Sequence, residues 1–372
     1  MKTAIVHDYL NQYGGAERVL ESLHEIFPEA PVFTILYDRE ALPQFGDWDI
    51  RPSFVQRVPF ARRNHRNFIF LFPGAVRSFD LRGFDLVISN THAWSKGIMI
   101  DRPAFHISYC LTPLRYIWDL YDDYLSRSYI PFFARAMLPG WAGKMRAWDI
   151  RASGSVDRFA AVSGTVAGRI RDYYGRESSI IYPPCDTDLF RPAGDPGGTA
   201  GYYLTVARLK AYKRIDVVVD AFNRLGRPLK IIGEGPESGR LRKMARGNIE
   251  LLGRVPDEEL VRNYQNCRGF VYAGVEDFGL VFAEAQACGR PVIAYGKGGA
   301  AEIILDGRTG VLFDEPSAEA LVSAVKRSEL ISFDSTFIRE RSLRFGKDKF
   351  RKNFCEFVST VTQRQPGPAA QE

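Results

Sequence analysis

Short apolar runs alternate with helix-length amphipathic segments along most of the chain, and near residue 201 the alternation starts a second time. Few folds accept that pattern. Strand-length runs separated by helices build βαβ units, whose strands lie parallel in a sheet covered on both faces. In the first half the strand candidates are residues 3–7, 32–36, 85–89, 104–109 and 158–162. In the second half they are 202–206, 229–232, 249–252, 269–272, 291–294 and 310–313. Helices are predicted over 16–26, 165–173, 215–225, 257–266, 280–288, 317–328 and 347–361. Composition shifts at Tyr182-Pro183-Pro184 and again over 192–201, which is rich in Pro, Gly and Asp and is predicted to be a linker. The expected architecture is therefore two doubly wound α/β domains facing a cleft, with a disordered tail over 363–372.

At 372 residues, 45% hydrophobic and 13% aromatic, the chain has material for two cores. Its five cysteines (Cys110, Cys185, Cys267, Cys288 and Cys355) are scattered with no Cys-x-x-Cys pair. That pattern suits neither a disulfide framework nor a zinc site, and it fits a reducing cytosol. The opening Met1-Lys2-Thr3-Ala4-Ile5-Val6 reads as a first strand rather than a signal peptide, and the longest apolar stretch, near 68–76, is too short to span a bilayer. A cytoplasmic location follows as an expectation, with peripheral attachment to the inner face of the cytoplasmic membrane left open.

The net charge of +6 is unevenly placed: residues 51–82 hold seven arginines against one acid, Asp80. Within that stripe arginines alternate with aromatics: Phe54, Arg57, Phe60, Arg62, Arg63, Arg66, Phe68, Phe70 and Phe72. Trp141, Lys144, Arg146 and Trp148 would extend it. Exposed, such a stripe offers apolar anchors and charge to anionic headgroups. The competing reading is a helix with its aromatics in the core and its arginines solvated.

Three motifs carry chemistry. Gly14-Gly15-Ala16-Glu17 follows the first strand and opens a helix, where bare backbone N–H groups favour an anion. It is not Gly-x-Gly-x-x-Gly, which argues against a nicotinamide-dependent oxidoreductase. Arg208 and Lys213 follow a strand and precede a helix, the edge of an open α/β sheet where ligands bind. Arg offers a planar fork for phosphate oxygens and Lys a mobile point charge. Glu276 and Glu284 flank the turn Asp277-Phe278-Gly279, one before a helix and one inside it. At helical rise they stand roughly 10 Å apart, suited to two parts of one elongated ligand rather than to an acid/base pair. Backbone N–H groups at Gly279 and Leu280 would face an anion between them.

On these residues the chain resembles the retaining family 4 glycosyltransferases of the GT-B fold, over nearly its whole length. The matching stretches are Tyr13-Gly14-Gly15-Ala16-Glu17-Arg18, Val162-Ser163, Tyr182-Pro183-Pro184, Val206-Ala207-Arg208-Leu209 with Lys213, Gly233-Glu234-Gly235-Pro236, and the Glu276 to Glu284 pair, the family's Glu-x7-Glu motif. Tyr109-Cys110-Leu111-Thr112-Pro113-Leu114-Arg115-Tyr116-Ile117-Trp118-Asp119 is similar to bacterial mannosyltransferases of surface-polysaccharide and O-antigen assembly. The resemblance implies two Rossmann-like domains: an acceptor-binding domain over 1–183, completed by about 345–362, and a nucleotide-sugar domain over 184–344. It implies transfer of a hexose, mannose from GDP-mannose, to a lipid-linked or glycan acceptor, with a UDP-hexose as the alternative donor. By the same resemblance Glu284 binds the ribose, the backbone at Val255 meets the base, and Arg208, Lys213, Gly279 and Leu280 hold the diphosphate. Glu276 orients the sugar, the Gly14-Gly15 loop closes over it, and Tyr109, Leu111 and Arg115 lie on the acceptor side.

Relatives usually carry a histidine where this chain has Leu111, a departure that keeps a catalytically impaired, nucleotide-sugar-binding homologue as a further alternative. Either His106 or His92 is a candidate substitute, and each reads first as a structural histidine. Asp47-Trp48-Asp49 and Asp186-Thr187-Asp188 resemble metal sites, yet neither has a further His or carboxylate cluster at ligand spacing. With Arg208 and Lys213 supplying positive charge, metal-independent transfer without a cofactor is expected. A two-lobed binding protein is the rival from another class, and no nucleic-acid partner is expected.

Overall fold

Five consecutive buried residues form β1 (Thr3–His7), as a central strand must when helices cover both faces of a parallel sheet. The computed structural model describes residues 1–62, 64–119, 132–193 and 201–363. Arg63, most of the expected linker at 192–201 and the tail from 364 onward lie outside the described residues. The chain divides into two units: Met1–Tyr182 joined by the chain from Phe350 onward, and Pro183–Lys349.

In the first unit β1 is joined by β2 (Val32–Thr34), β3 (Ile50–Pro52), β4 (Leu86–Thr91), β5 (Phe105–Cys110), β6 (Arg158–Ala161) and β7 (Ser178–Ile180). Their order is β3-β2-β1-β4-β5-β6-β7, with every pairing parallel. Parallel neighbours need crossovers, and helices α1 (Gly15–Ile26), α2 (Phe72–Arg77), α3 (Phe132–Ser153) and α4 (Gly164–Tyr174) lie in the connections. α1 turns Val19, Leu20 and Leu23 inward. α4 is capped by the Ser163 side chain, which accepts from Val166 N–H, and it ends at left-handed Gly175.

The second unit repeats the plan with β8 (Tyr203–Val206), β9 (Leu229–Ile232), β10 (Ile249–Gly253), β11 (Gly269–Tyr272), β12 (Val292–Tyr295) and β13 (Gly310–Phe313). Their order is β10-β9-β8-β11-β12-β13, again all parallel. Its helices are α5 (Ile215–Leu225), α6 (Ser238–Met244), α7 (Asp257–Asn266), α8 (Leu280–Ala287), α9 (Ala300–Ile303), α10 (Ala318–Glu329) and α11 (Ser335–Ser342). α12 (Lys347–Gln363) then carries the chain into the first unit, where Phe350 and Phe354 set their rings 5.6 and 5.9 Å from that of Tyr109.

The sequence pattern did not anticipate β3, β7, α2, α3, α6, α9 or α11. The arginine and aromatic stripe is not one helix. It forms 3-10 turns at Phe54–Arg57 and His65–Leu71 before α2.

Two buried carboxylates hold the first unit together. Asp149, on α3, pairs with the Lys96 ammonium at 2.5 Å, both side chains fully buried, and also accepts from Tyr174 and from the Trp118 indole. Asp8, just past β1, accepts the backbone N–H groups of His92, Ala93, Trp94 and Ser95 at 2.6–2.8 Å, fastening the loop after β4 to the end of β1. Burial alone would raise the Asp8 carboxyl, but the charge and hydrogen bond of His92, 3.0 Å away, and the charge of His7 hold it far below the usual carboxylate range. A carboxyl lowered on folding contributes stability that is present above its unfolded value and lost as pH falls toward the folded one. Asp8→Asn is therefore expected to lose about 3 kcal/mol at neutral pH. The gap to the wild type should narrow in urea titrations once pH drops below about 4. A gap that stays constant across pH would refute this.

Candidate functional site

The order of the second sheet reverses direction between β8 and β11, and in open α/β sheets the crevice at the carboxyl ends of such strands is where ligands bind. The charged residues singled out from the sequence stand there. Arg208 lies two residues beyond β8, is exposed, and its guanidinium makes no ion pair among the described residues. Lys213 ends a 3-10 turn, and Arg214 follows in the left-handed region before α5 begins.

The segment after β11 approaches this loop closely. Gly274 is buried, and a Cβ there would sit 2.7 Å from the Lys213 carbonyl oxygen, so only glycine lets the two backbones touch. Glu276 follows. Its Oε1 and Oε2 lie 2.6 and 2.8 Å from the Lys213 ammonium, with both side chains about one-sixth exposed. The sequence reading sent Lys213 to a phosphate and Glu276 to a sugar; the structure brings the two together as an ion pair. The Glu276 carbonyl accepts from Gly299 N–H, which fastens the turn to the loop after β12. Gly279 is left-handed (φ 94°) and heads α8, because a side chain there would strike the Phe282 ring. Leu280 is the first residue of α8, and Glu284 is buried within it, its Oε2 accepting from the Tyr264 hydroxyl at 2.9 Å. Val255, half-buried, follows β10.

The first unit has its own reversal, between β1 and β4. Gly14 caps α1 through its backbone and Gly15 is exposed. Asn90 donates to the Ala16 carbonyl at 3.0 Å and lies 3.2 Å from His7 Nδ1, while His7 Nε2 stands 3.6 Å from the buried Glu17 carboxylate. His7, Asp8 and Asn90, fully buried around the glycine turn, were missed in the sequence reading. Polar residues at the ends of apolar runs were the available signal.

Tyr109 is a correction. It is fully buried, donates to the Ile181 carbonyl at 2.9 Å and packs on Phe350 and Phe354, so it is a core residue and not an acceptor contact. Leu111 and Arg115, by contrast, are half-buried. His106 is structural: its ring lies 2.9 Å from Ser89 Oγ, and burial pushes it down to about 4. Trp148 is also corrected, being core under the Lys96 pair and not part of a surface stripe. Phe54, Phe60 and Phe70 are exposed, as are Arg57 and Arg62, whereas Phe72 is buried. The structure gives no description of the Arg66 side chain.

Both Asp-x-Asp stretches have other partners: Asp49 pairs with Arg51, and Asp186 with Lys347. Among the described residues no group of three or more His, Cys, Asp or Glu is placed to hold a metal ion. Among the described residues no helix is long and apolar enough to cross a membrane.

Residues 186–335 match the family model for glycosyl transferases group 1, the stretch that holds every charged group of the second unit's site. The match spans less than half of the chain, and it marks that stretch as similar to this family. The chain is 30% identical over 204 residues to a GDP-mannose-dependent alpha-(1-6)-phosphatidylinositol monomannoside mannosyltransferase of Mycolicibacterium smegmatis, covering 47% of this chain and 53% of that protein. It is 26% identical over 210 residues to a GDP-mannose-dependent alpha-mannosyltransferase of Corynebacterium glutamicum, covering 53% and 50%. The chain thus spans about half the length of these relatives. Anabaena HepE in complex with UDP and glucose has the same fold, with a TM-score of 0.70 at 16% identity over 97% of this chain and all of that one. Sucrose-phosphate synthase from Thermosynechococcus elongatus scores 0.72 at 17% identity over 98% and 100%. The fold is accordingly GT-B.

The contact at Gly274 is testable. Gly274→Ala should force the Lys213 backbone aside and cost about 1–3 kcal/mol, read as a lowered thermal midpoint. An unchanged midpoint would mean the loop yields freely.

Proposed function

We propose that this protein is a retaining glycosyltransferase that moves a hexose from a nucleoside diphosphate sugar to a lipid-linked or glycan acceptor. The observation that carries the reading is the clustering of Arg208, Lys213 and Glu276 at the reversal point of the second sheet, beside the head of α8. Breaking an anomeric C–O bond puts negative charge on the departing diphosphate. Arg208, Lys213 and the N–H groups of Gly279 and Leu280 stabilise that charge without needing a metal. Glu276 orients the sugar hydroxyls, Glu284 with Tyr264 takes the ribose, and the backbone near Val255 meets the base. Gly14 and Gly15 offer backbone N–H groups to an anion, and Leu111 and Arg115 remain on the acceptor side. The acceptor hydroxyl attacks from the face the phosphate leaves, the phosphate oxygen takes its proton, and configuration is retained.

GDP-mannose is the first donor reading, supported by the names of the mycobacterial and corynebacterial relatives. A UDP-hexose is the second, favoured by the UDP held in HepE, a protein of the same fold. The acceptor would belong to bacterial surface-polysaccharide assembly, lipopolysaccharide included. The exposure of Phe54, Phe60 and Phe70 and of Arg57 and Arg62 supports peripheral attachment to an anionic cytoplasmic membrane.

Thermal-shift screening with GDP, UDP and their hexose conjugates selects the donor, since a ligand of the folded state alone raises Tm. Arg208→Ala and Lys213→Ala are each expected to lower kcat by about 100-fold, with turnover by the parent enzyme unaffected by EDTA. Near-normal turnover in both variants would defeat the phosphate assignment. On the membrane side, the protein should co-sediment with anionic phospholipid vesicles at low salt and be released at high salt. Absence from the pellet at low salt would remove that part.

A further inference from the structure

We propose that Tyr272 is a positioning residue for Glu276, holding the carboxylate in the orientation in which it meets the donor sugar. This rests on Glu276 being the sugar-orienting carboxylate. Tyr272 ends β11 and is fully buried. Its ring is packed from two sides, stacked at 6.2 Å on Phe270 and meeting Phe282 of α8 edge-on at 5.4 Å. Phe270 is the residue two before it on the same strand, and Phe282 lies on the helix that Gly279 heads, so the phenol cannot swing without disturbing both.

The Tyr272 hydroxyl donates to Glu276 Oε1, the oxygen that also lies 2.6 Å from the Lys213 ammonium, whereas Oε2 has Lys213 at 2.8 Å. An ionised carboxylate only accepts, and its two oxygens offer about four lone-pair directions. Lys213 and Tyr272 together therefore fix which oxygen stays open to a hydroxyl, and that is Oε2. The two donors differ in one respect that matters for turnover. Lys213 is a mobile cation, and an arriving diphosphate competes with Glu276 for it. The Tyr272 phenol is neutral and locked by its neighbours, so it keeps hold of Glu276 when the lysine is drawn toward phosphate. Without it the carboxylate would be anchored by a group that the substrate itself recruits.

Tyr272→Phe keeps the ring and its packing and removes only the hydroxyl. The expected result is a split. Affinity for GDP alone, by calorimetry, stays within about twofold, because in the proposed site Glu276 faces the sugar and not the nucleotide. The kcat/KM for GDP-mannose (or for the UDP sugar, if the thermal-shift panel selects it) falls about tenfold, the scale of one hydrogen bond to a charged group. In a Glu276→Ala background, which removes the acceptor, the same change should have little further effect, since the two act as one unit. Wild-type kcat/KM in Tyr272→Phe, loss of GDP affinity, or full additivity with Glu276→Ala would each overturn the assignment. Arg208→Ala measured alongside separates the two failures. If it cripples turnover while Tyr272→Phe is silent, only the role of Tyr272 is lost; if it too is silent, the donor site itself is misplaced.

Discussion

Every strand pairing in both sheets is parallel, and that constraint arranges everything else. A parallel neighbour cannot be reached by a tight turn, so the chain must leave each strand at one edge and return over a face. All the segments that follow strands therefore gather along one edge of each sheet. Where the strand order reverses, adjacent segments part and leave a crevice. Arg208, Lys213 and Glu276 belong to the segments flanking that point in the second unit, and Asp8 and His92 to those in the first. Residues far apart in the chain meet because the connection rule leaves them no other place.

The two edges treat charge differently. In the first unit the Asp8 carboxylate is saturated by four backbone N–H groups and an imidazole, an arrangement that fixes a loop and leaves little to offer a ligand. In the second, the Lys213 and Glu276 pair is partly open to solvent and Arg208 is exposed. A pair of that kind can be divided by a ligand that carries both negative charge and hydroxyls. The fixed edge and the divisible edge come from the same topology, and the difference lies in how many backbone donors reach the carboxylate.

Much of this was legible in the sequence where burial and period coincide. β1, β9, β11 and β13 have the predicted ends, with glycine, proline or charge at or beside most of their ends. β3 and β7 were missed because they are edge strands of three residues with mostly exposed side chains, Arg51 and Pro52 among them. α3 was missed although it packs Trp148 and Ala152 into the core and sets Asp149 against Lys96; it carries Pro139 within it, a residue that does not signal a helix interior. Arg208, Lys213 and the two glutamates stand out in the sequence by their places beside a strand end or a helix start and by the family motif they match, and the structure sets Lys213 against Glu276. Tyr109 and Tyr272 show the opposite limit. Both end or nearly end apolar runs and look alike in sequence, yet one hydroxyl meets a backbone carbonyl in the core and the other meets Glu276. Only the packing around each ring separates them.

The return of α12 to the first unit has a consequence for biosynthesis. Tyr109 and Phe27 find ring partners in Phe350 and Phe354, residues made only after the whole stretch 183–349 has been synthesised. At ordinary elongation rates that is a wait of roughly ten to thirty seconds. Throughout it the nascent amino-terminal half carries an uncovered aromatic face, which makes it a natural client for chaperones that bind exposed apolar surface.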